Sequence, residues 1–132
     1  MSDRDPAGLF TYVVQQLALL PLAYLHLIEP RIAGNVEDDT RNQAPVASRL
    51  MRQHYPGVII AAGGFDGASA EAILQEGSAD LVAFGRHFIA NPDLPARLKN
   101  GWPLNAYDRP SFFGGTDVGY TDYPFHAEAV TA

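Results

Sequence analysis

Two pairs of residues in this chain are of types suited to holding a phosphate. Gly63-Gly64 closes the apolar run Val58-Ile59-Ile60-Ala61-Ala62, and Gly85-Arg86 closes Leu81-Val82-Ala83-Phe84. Glycine lets a backbone N–H approach an oxyanion closely, the first turn of a helix favours negative charge, and a guanidinium grips a phosphate through two parallel hydrogen bonds. Taken singly, each pair reads as a turn glycine or a surface arginine. Their recurrence after two successive apolar runs favours a shared phosphate cup, and the last strands of barrel enzymes are a common place for one.

The elements that must position these pairs follow from periodicity. Asp5-Pro6 supplies a capping carboxylate and a proline at the first helical position, and Leu9, Phe10, Val13, Val14 and Leu17 then recur on one helical face up to Pro21. Leu22 to Ile28 is a short apolar run, predicted to be a strand covered on both faces. A polar loop over residues 29–42 carries Gly34-Asn35 and Glu37-Asp38-Asp39. A second helix is predicted over Pro45–Tyr55 with Val46, Leu50, Met51 and His54 on its inward side, and a second strand over Val58–Ala62. Asp66 caps a third helix that buries Ala70, Ile73 and Leu74 and stops at Gly77. The third strand covers Leu81–Phe84, and a last helix runs from about Asn91-Pro92 to Lys99 or Asn100, before Gly101. Buried strands separated by crossover helices imply an α/β fold with parallel pairing, either an open doubly wound sheet or a slice of a (β/α)8 barrel. From residue 101 the sequence turns to Gly, Pro and aromatics without a period, a tail that must lie on something. We therefore expect one partial domain over 1–132, with βα units in 1–100 and the tail in 101–132.

Composition narrows the chemistry. The chain has 132 residues, is 47% hydrophobic and carries a net charge of −6 with both signs interspersed, which does not suit a nucleic-acid surface. It has no cysteine, so disulfides and thiolate catalysis are out and a cytoplasmic protein is expected. Leu17 to Ile28 is broken by Pro21 and falls short of the roughly 20 residues of a membrane helix, and the first residues lack the pattern of a secretory signal. No Ser-His-Asp arrangement has supporting context. Glu37-Asp38-Asp39 reads as a solvated loop rather than a metal site. His26, in a strand, reads as a hydrogen-bonded core histidine, and His54 and His126 as solvent-facing. His87 reads equally as added charge at the cup or as a surface residue, and Trp102, Tyr107, Phe112, Tyr120 and Tyr123 as a cover.

Several segments resemble, in order along nearly the whole chain, the C-terminal end of the Old Yellow Enzyme family of flavoproteins. They are Ala23-Tyr24-Leu25-His26, Ile60-Ala61-Ala62-Gly63-Gly64-Phe65, the stretch from Ala79 through Phe84-Gly85-Arg86 to Asn91-Pro92-Asp93-Leu94, Pro103-Leu104-Asn105, and Gly119-Tyr120-Thr121-Asp122-Tyr123-Pro124. The resemblance implies a partial (β/α)8 barrel binding FMN, with NAD(P)H as reductant and an α,β-unsaturated carbonyl or nitro compound as substrate. It implies further that Gly63 and Gly64 bind the flavin phosphate through backbone N–H groups, that Gly85 and Arg86 form the second phosphate pair, and that Ala62 lines the same end of the cofactor. Phe113 stands where the family commonly has a tyrosine near flavin and substrate. Aromatic packing is kept there and a hydroxyl donor is lost.

The family's groups for the flavin ring, the substrate carbonyl and proton donation lie on earlier strands, so no catalytic residue and no metal ligand is expected here. A whole barrel takes ~250 residues, and this chain supplies three strands of eight. The resemblance sets Met1 at an internal position of the family, so we expect a truncated or split product, or an engineered piece, inactive alone. Its open strand edges would associate with a complementary N-terminal barrel half or with a second copy. A flavin oxidase of another kind or a sugar-phosphate barrel would use the same cup.

Overall fold

The computed structural model describes residues 4–32, 46–114 and 116–127, and Gly34-Asn35, Glu37-Asp38-Asp39 and Pro45 lie outside them. Helix α1 covers Pro6–Leu17, and the Asp5 carboxylate accepts from the Gly8 N–H at 2.9 Å. Of its predicted apolar stripe only Val14 is buried, while Leu9 and Phe10 are 45% and 55% exposed. Strands β1 (Leu25–Ile28), β2 (Ile59–Ala62) and β3 (Leu81–Ala83) form a parallel sheet in the order β1-β2-β3. Helix α2 (Ala47–Arg52) connects the first two strands and α3 (Gly67–Gln75) the last two, as crossover connections in a parallel sheet require.

Register shows why the strands are only half covered. Leu25 pairs with Ile59, and Leu27 with Ala61, which in turn pairs with Val82, so these side chains share one face. That face is closed: Leu25, Ile59 and Ala61 are buried. The other face carries His26, Ile28, Ile60, Ala62 and Leu81. Ile28 is 67% exposed and His26 is exposed as well. A β1 covered on both sides and a core His26 are thus both corrected. Strands of a parallel sheet are buried on two faces only when both layers are present, and among the described residues one layer is.

The predicted inner faces of the helices hold in part. Met51, Ala70 and Ile73 are buried, whereas Val46 and Leu74 are exposed. Asp66 caps α3 as expected, its side chain accepting from Ser69 N while Ser69 Oγ accepts from Asp66 N, and Gly77 follows the helix with φ 74°. His54, which the helical spacing sets inward and its isolation sets in solvent, is half-buried, with its Nδ1 3.5 Å from Gln15 Nε2.

The chain divides into two compact units, Met1–Ala83 and Phe84–Ala132. The second contains α4 (Arg86–Ala90), a short helix the periodicity did not indicate, then α5 (Leu94–Asn100) and a 3-10 turn at Arg109–Ser111. Gly101, at φ 67°, ends α5. Here the aperiodic tail is held by side chains bonded to backbone. Arg97 pairs with Asp93 at 2.7 Å and donates to the carbonyls of Pro103 and Pro124. The second Asp93 oxygen accepts from His126 N at 2.7 Å. Asn91 Oδ1 accepts from Asn105 N, and Asn105 Nδ2 donates to the Ala90 and Pro124 carbonyls. His126, expected in solvent, is half-buried and stacks on Trp102 with ring centroids 4.2 Å apart.

Candidate phosphate-binding site

At the end of β2 the backbone turns through two glycines in the left-handed region, Gly63 at φ 108° and Gly64 at φ 68°. Side chains rarely adopt these values, so glycine is required by conformation. Space is tight as well: a Cβ on Gly63 would lie 3.1 Å from Ile32 Cγ1 and 3.2 Å from Glu29 N. The ladder stops here, with Ala62 O accepting from Glu29 N. Among the described residues no acceptor receives the Gly63 or Gly64 N–H.

Two residues just past β1 complete this end of the sheet, and neither was singled out from sequence. Arg31 Nε donates to Gly63 O at 2.8 Å, and its guanidinium carbon sits 4.6 Å from the centroid of the buried Phe65 ring. Glu29 is fully buried and accepts from the N–H groups of Val46, Ala47 and Ser48 and from Ser48 Oγ. Burial pushes its carboxyl upward, but these hydrogen bonds prevail and hold it below its ordinary value of 4.5. Glu29 thus satisfies the donors at the start of α2 from another element. Glu29-Pro30-Arg31 follows a strand end just as Gly63-Gly64 does, and that placement was the available signal.

The helical contribution differs from expectation. The first turn of α3 is occupied by its own cap, since the Asp66 carboxylate takes the Ser69 N–H at 2.8 Å. A negative charge already sits there, so attraction for an anion falls to the glycine amides and to Arg31 rather than to the α3 terminus.

Gly85 and Arg86 belong to the second unit. Gly85 has a negative φ of −91°, and a Cβ there would meet nothing within 4 Å, so space around it does not demand glycine. Arg86 Nη1 donates to the Tyr107 hydroxyl at 3.3 Å, and its guanidinium carbon lies 5.6 Å from the centroid of the Tyr107 ring. Phe113 occupies the left-handed region at φ 59°, with its N–H donating to the Tyr120 hydroxyl. The residue is 78% exposed. Ala62, Gly63 and Gly64 are therefore contiguous in one unit, and Gly85, Arg86 and Phe113 lie in the other. Among the described residues there is no cluster of three metal-ligating side chains and no helix long and apolar enough to cross a membrane.

A flavoprotein family accounts for this arrangement. The family model described as NADH:flavin oxidoreductase / NADH oxidase matches residues 7–105, and the chain belongs to that family. The chain is 45% identical to 12-oxophytodienoate reductase 1 of rice (Oryza sativa subsp. japonica) over 130 residues, 96% of this chain and 33% of the relative. It is 43% identical to chanoclavine-I aldehyde reductase of Penicillium roqueforti, covering 97% of this chain and 35% of the relative. Among solved structures it is similar to morphinone reductase, with TM-score 0.82 and 40% identity over 97% of this chain and 33% of that one. The old yellow enzyme of Trypanosoma cruzi gives TM-score 0.82 and 36% identity over 96% of this chain and 32% of that one. The chain spans about a third of the length of the relatives it matches. Its three parallel strands are accordingly part of a (β/α)8 barrel rather than of an open doubly wound sheet.

Proposed function

We propose that this chain supplies the phosphate-binding end of an FMN site. In this reading the Gly63 and Gly64 N–H groups and the Gly85-Arg86 pair hold the phosphate, Ala62 lines the same end and Phe113 packs near the flavin. The observation that carries it is the Gly63-Gly64 turn: two successive residues at positive φ, bounded by Ile32, Glu29 and Arg31, whose amides have no acceptor among the described residues. Successive amides of this kind suit an oxyanion. The family match spans both glycine pairs, and β2 and β3 pair in parallel up to Ala62 and Ala83, from which the two pairs continue along the chain.

The parent enzyme then reduces the C=C bond of an α,β-unsaturated carbonyl or nitro compound, a small molecule, with NAD(P)H as reductant. FMN supplies the redox chemistry, and the residues of this chain fix the cofactor's phosphate. Family membership favours flavin over a sugar phosphate as the occupant of the cup. We place the protein in the cytoplasm and treat 1–132 as one partial barrel domain, 1–100 carrying the βα units and 101–132 the tail.

A second reading concerns the chain by itself. Leu9, Phe10, Tyr12 and Val13 on α1 are exposed, as are Ile28 and Leu81 on the sheet, and surface of this kind calls for a partner. We propose that it belongs against a complementary barrel half and that the isolated chain does not turn over NAD(P)H.

Flavin titration of the purified chain, alone and mixed with the complementary portion of a relative, tests both readings. FMN should bind with the mixture at least tenfold tighter than with the chain alone. Arg86→Ala should weaken FMN by roughly tenfold, the value of a charge-assisted pair, without changing which alkenes are reduced. NADPH oxidation by the chain alone would defeat the second reading, and an FMN affinity indifferent to Arg86 would defeat the first.

A further inference from the structure

Within the second unit, one aromatic residue does more than cover. Arg86 has five N–H donors in a planar fork, and among the described residues the acceptor it reaches is the Tyr107 hydroxyl, through Nη1. The same guanidinium lies toward the Tyr107 ring, within the distance at which a cation is drawn to an aromatic face. One donor is thereby used and one side of the plane is fixed. The edge formed by Nε and Nη2 is left for two parallel bonds to a phosphate.

Tyr107 is itself built into place. Two residues before it, Asn105 is bonded to Asn91 Oδ1 and to Ala90 O, at the C-terminal end of the helix that Arg86 begins. The chain then returns along α4, so that Tyr107 meets His87 edge-on with centroids 5.7 Å apart and Phe112 at 5.9 Å. On its far side the Asp108 N–H donates to the Tyr123 hydroxyl at 2.8 Å. A free arginine side chain loses considerable rotamer entropy on binding, and a pre-oriented one loses less.

We propose that Tyr107 is a positioning residue for the flavin phosphate, holding the Arg86 guanidinium in its binding orientation before the ligand arrives. This rests on the phosphate reading of Arg86 given above. It predicts that the hydroxyl and the ring each contribute to affinity, and only toward ligands that carry the phosphate.

The test compares FMN with riboflavin, which lacks the phosphate, by NMR titration of the labelled chain, where millimolar binding is still measurable. The quantity read is the ratio of the two affinities. In the wild-type chain FMN should be preferred, and Arg86→Ala should remove most of that preference. Tyr107→Phe should lower the ratio about twofold and Tyr107→Ala about fivefold, in the range of one cation–π contact. Tyr107→Ala should have no further effect on a chain already carrying Arg86→Ala. A merely structural tyrosine would weaken both ligands alike and leave the ratio unchanged. If Tyr107→Ala preserves a ratio that Arg86→Ala abolishes, the positioning role is wrong and the phosphate site stands. If the wild-type chain shows no preference, or Arg86→Ala leaves it intact, the phosphate reading fails and the role of Tyr107 with it.

Discussion

The two units are held together by different means. Met1–Ala83 relies on a regular parallel ladder and a layer of helices, yet it exposes the apolar residues of α1 and one face of its sheet. Phe84–Ala132 has no strand among its described residues. It is fixed by Asp93, Arg97, Asn91 and Asn105, whose side chains satisfy backbone groups of a segment without periodicity. A ladder can be extended by adding strands, so the first unit is suited to becoming part of something larger. A polar knot is complete when its donors are satisfied, and removing one member leaves the others buried without partners.

This contrast can be broken experimentally, most forcefully at Arg97. Arg97→Ala leaves the Asp93 charge buried without its cation and the Pro103 carbonyl without its donor, and should destabilise the protein by about 3–5 kcal/mol, read as a lower urea midpoint. Trp102 fluorescence should report it, since that ring stacks on the His126 that the knot retains. The nearest equivalent in the first unit is Glu29. Glu29→Ala strands three backbone donors at the start of α2 and should cost about 2–3 kcal/mol.

A smaller effect sharpens the comparison through pH. Glu29 and Asp93 are both held below their ordinary values. In each, burial acts upward and is outweighed: for Glu29 by the Ser48, Ala47 and Val46 hydrogen bonds, and for Asp93 by His126 N–H and Arg97. A depressed carboxyl stabilises the fold above its unfolded pKa, and that stability is lost as pH falls through the folded value. Both units should therefore weaken below about pH 4 in circular dichroism, and Glu29→Ala should flatten that acid limb. At the bottom of the scale stands Arg49→Ala. Its bidentate pair with Glu76 is exposed, and the urea midpoint should not move measurably.

What the sequence disclosed and what it hid follow the same division. The helix from Asp5-Pro6, the β2 strand, the Asp66 cap and the Gly77 and Gly101 stops were legible because each is decided by neighbours within four residues. Helix α4 was not, because five residues with no side-chain cap leave too little periodic pattern. Glu29 looked like the first residue of a polar loop because the donors it satisfies lie 17 to 19 residues away. His26 was expected in the core because a short apolar strand looks the same whether one or both of its faces are covered. The glycine pairs were legible as types, and the structure added Arg31 and Tyr107, the residues that brace them.

Gly85 and Gly63 differ in a way that bears on how such a protein tolerates mutation. Gly63 is constrained by its own backbone and its neighbours, whereas Gly85 has a negative φ and open space where a side chain would begin. A mutant library scored for cellular abundance should lose alanine more severely at Gly63 than at Gly85, where a Cβ meets nothing. If the proposed phosphate site is right, a score for flavin retention should lose both, and the gap between the two scores at Gly85 would separate selection for the ligand from selection for the fold.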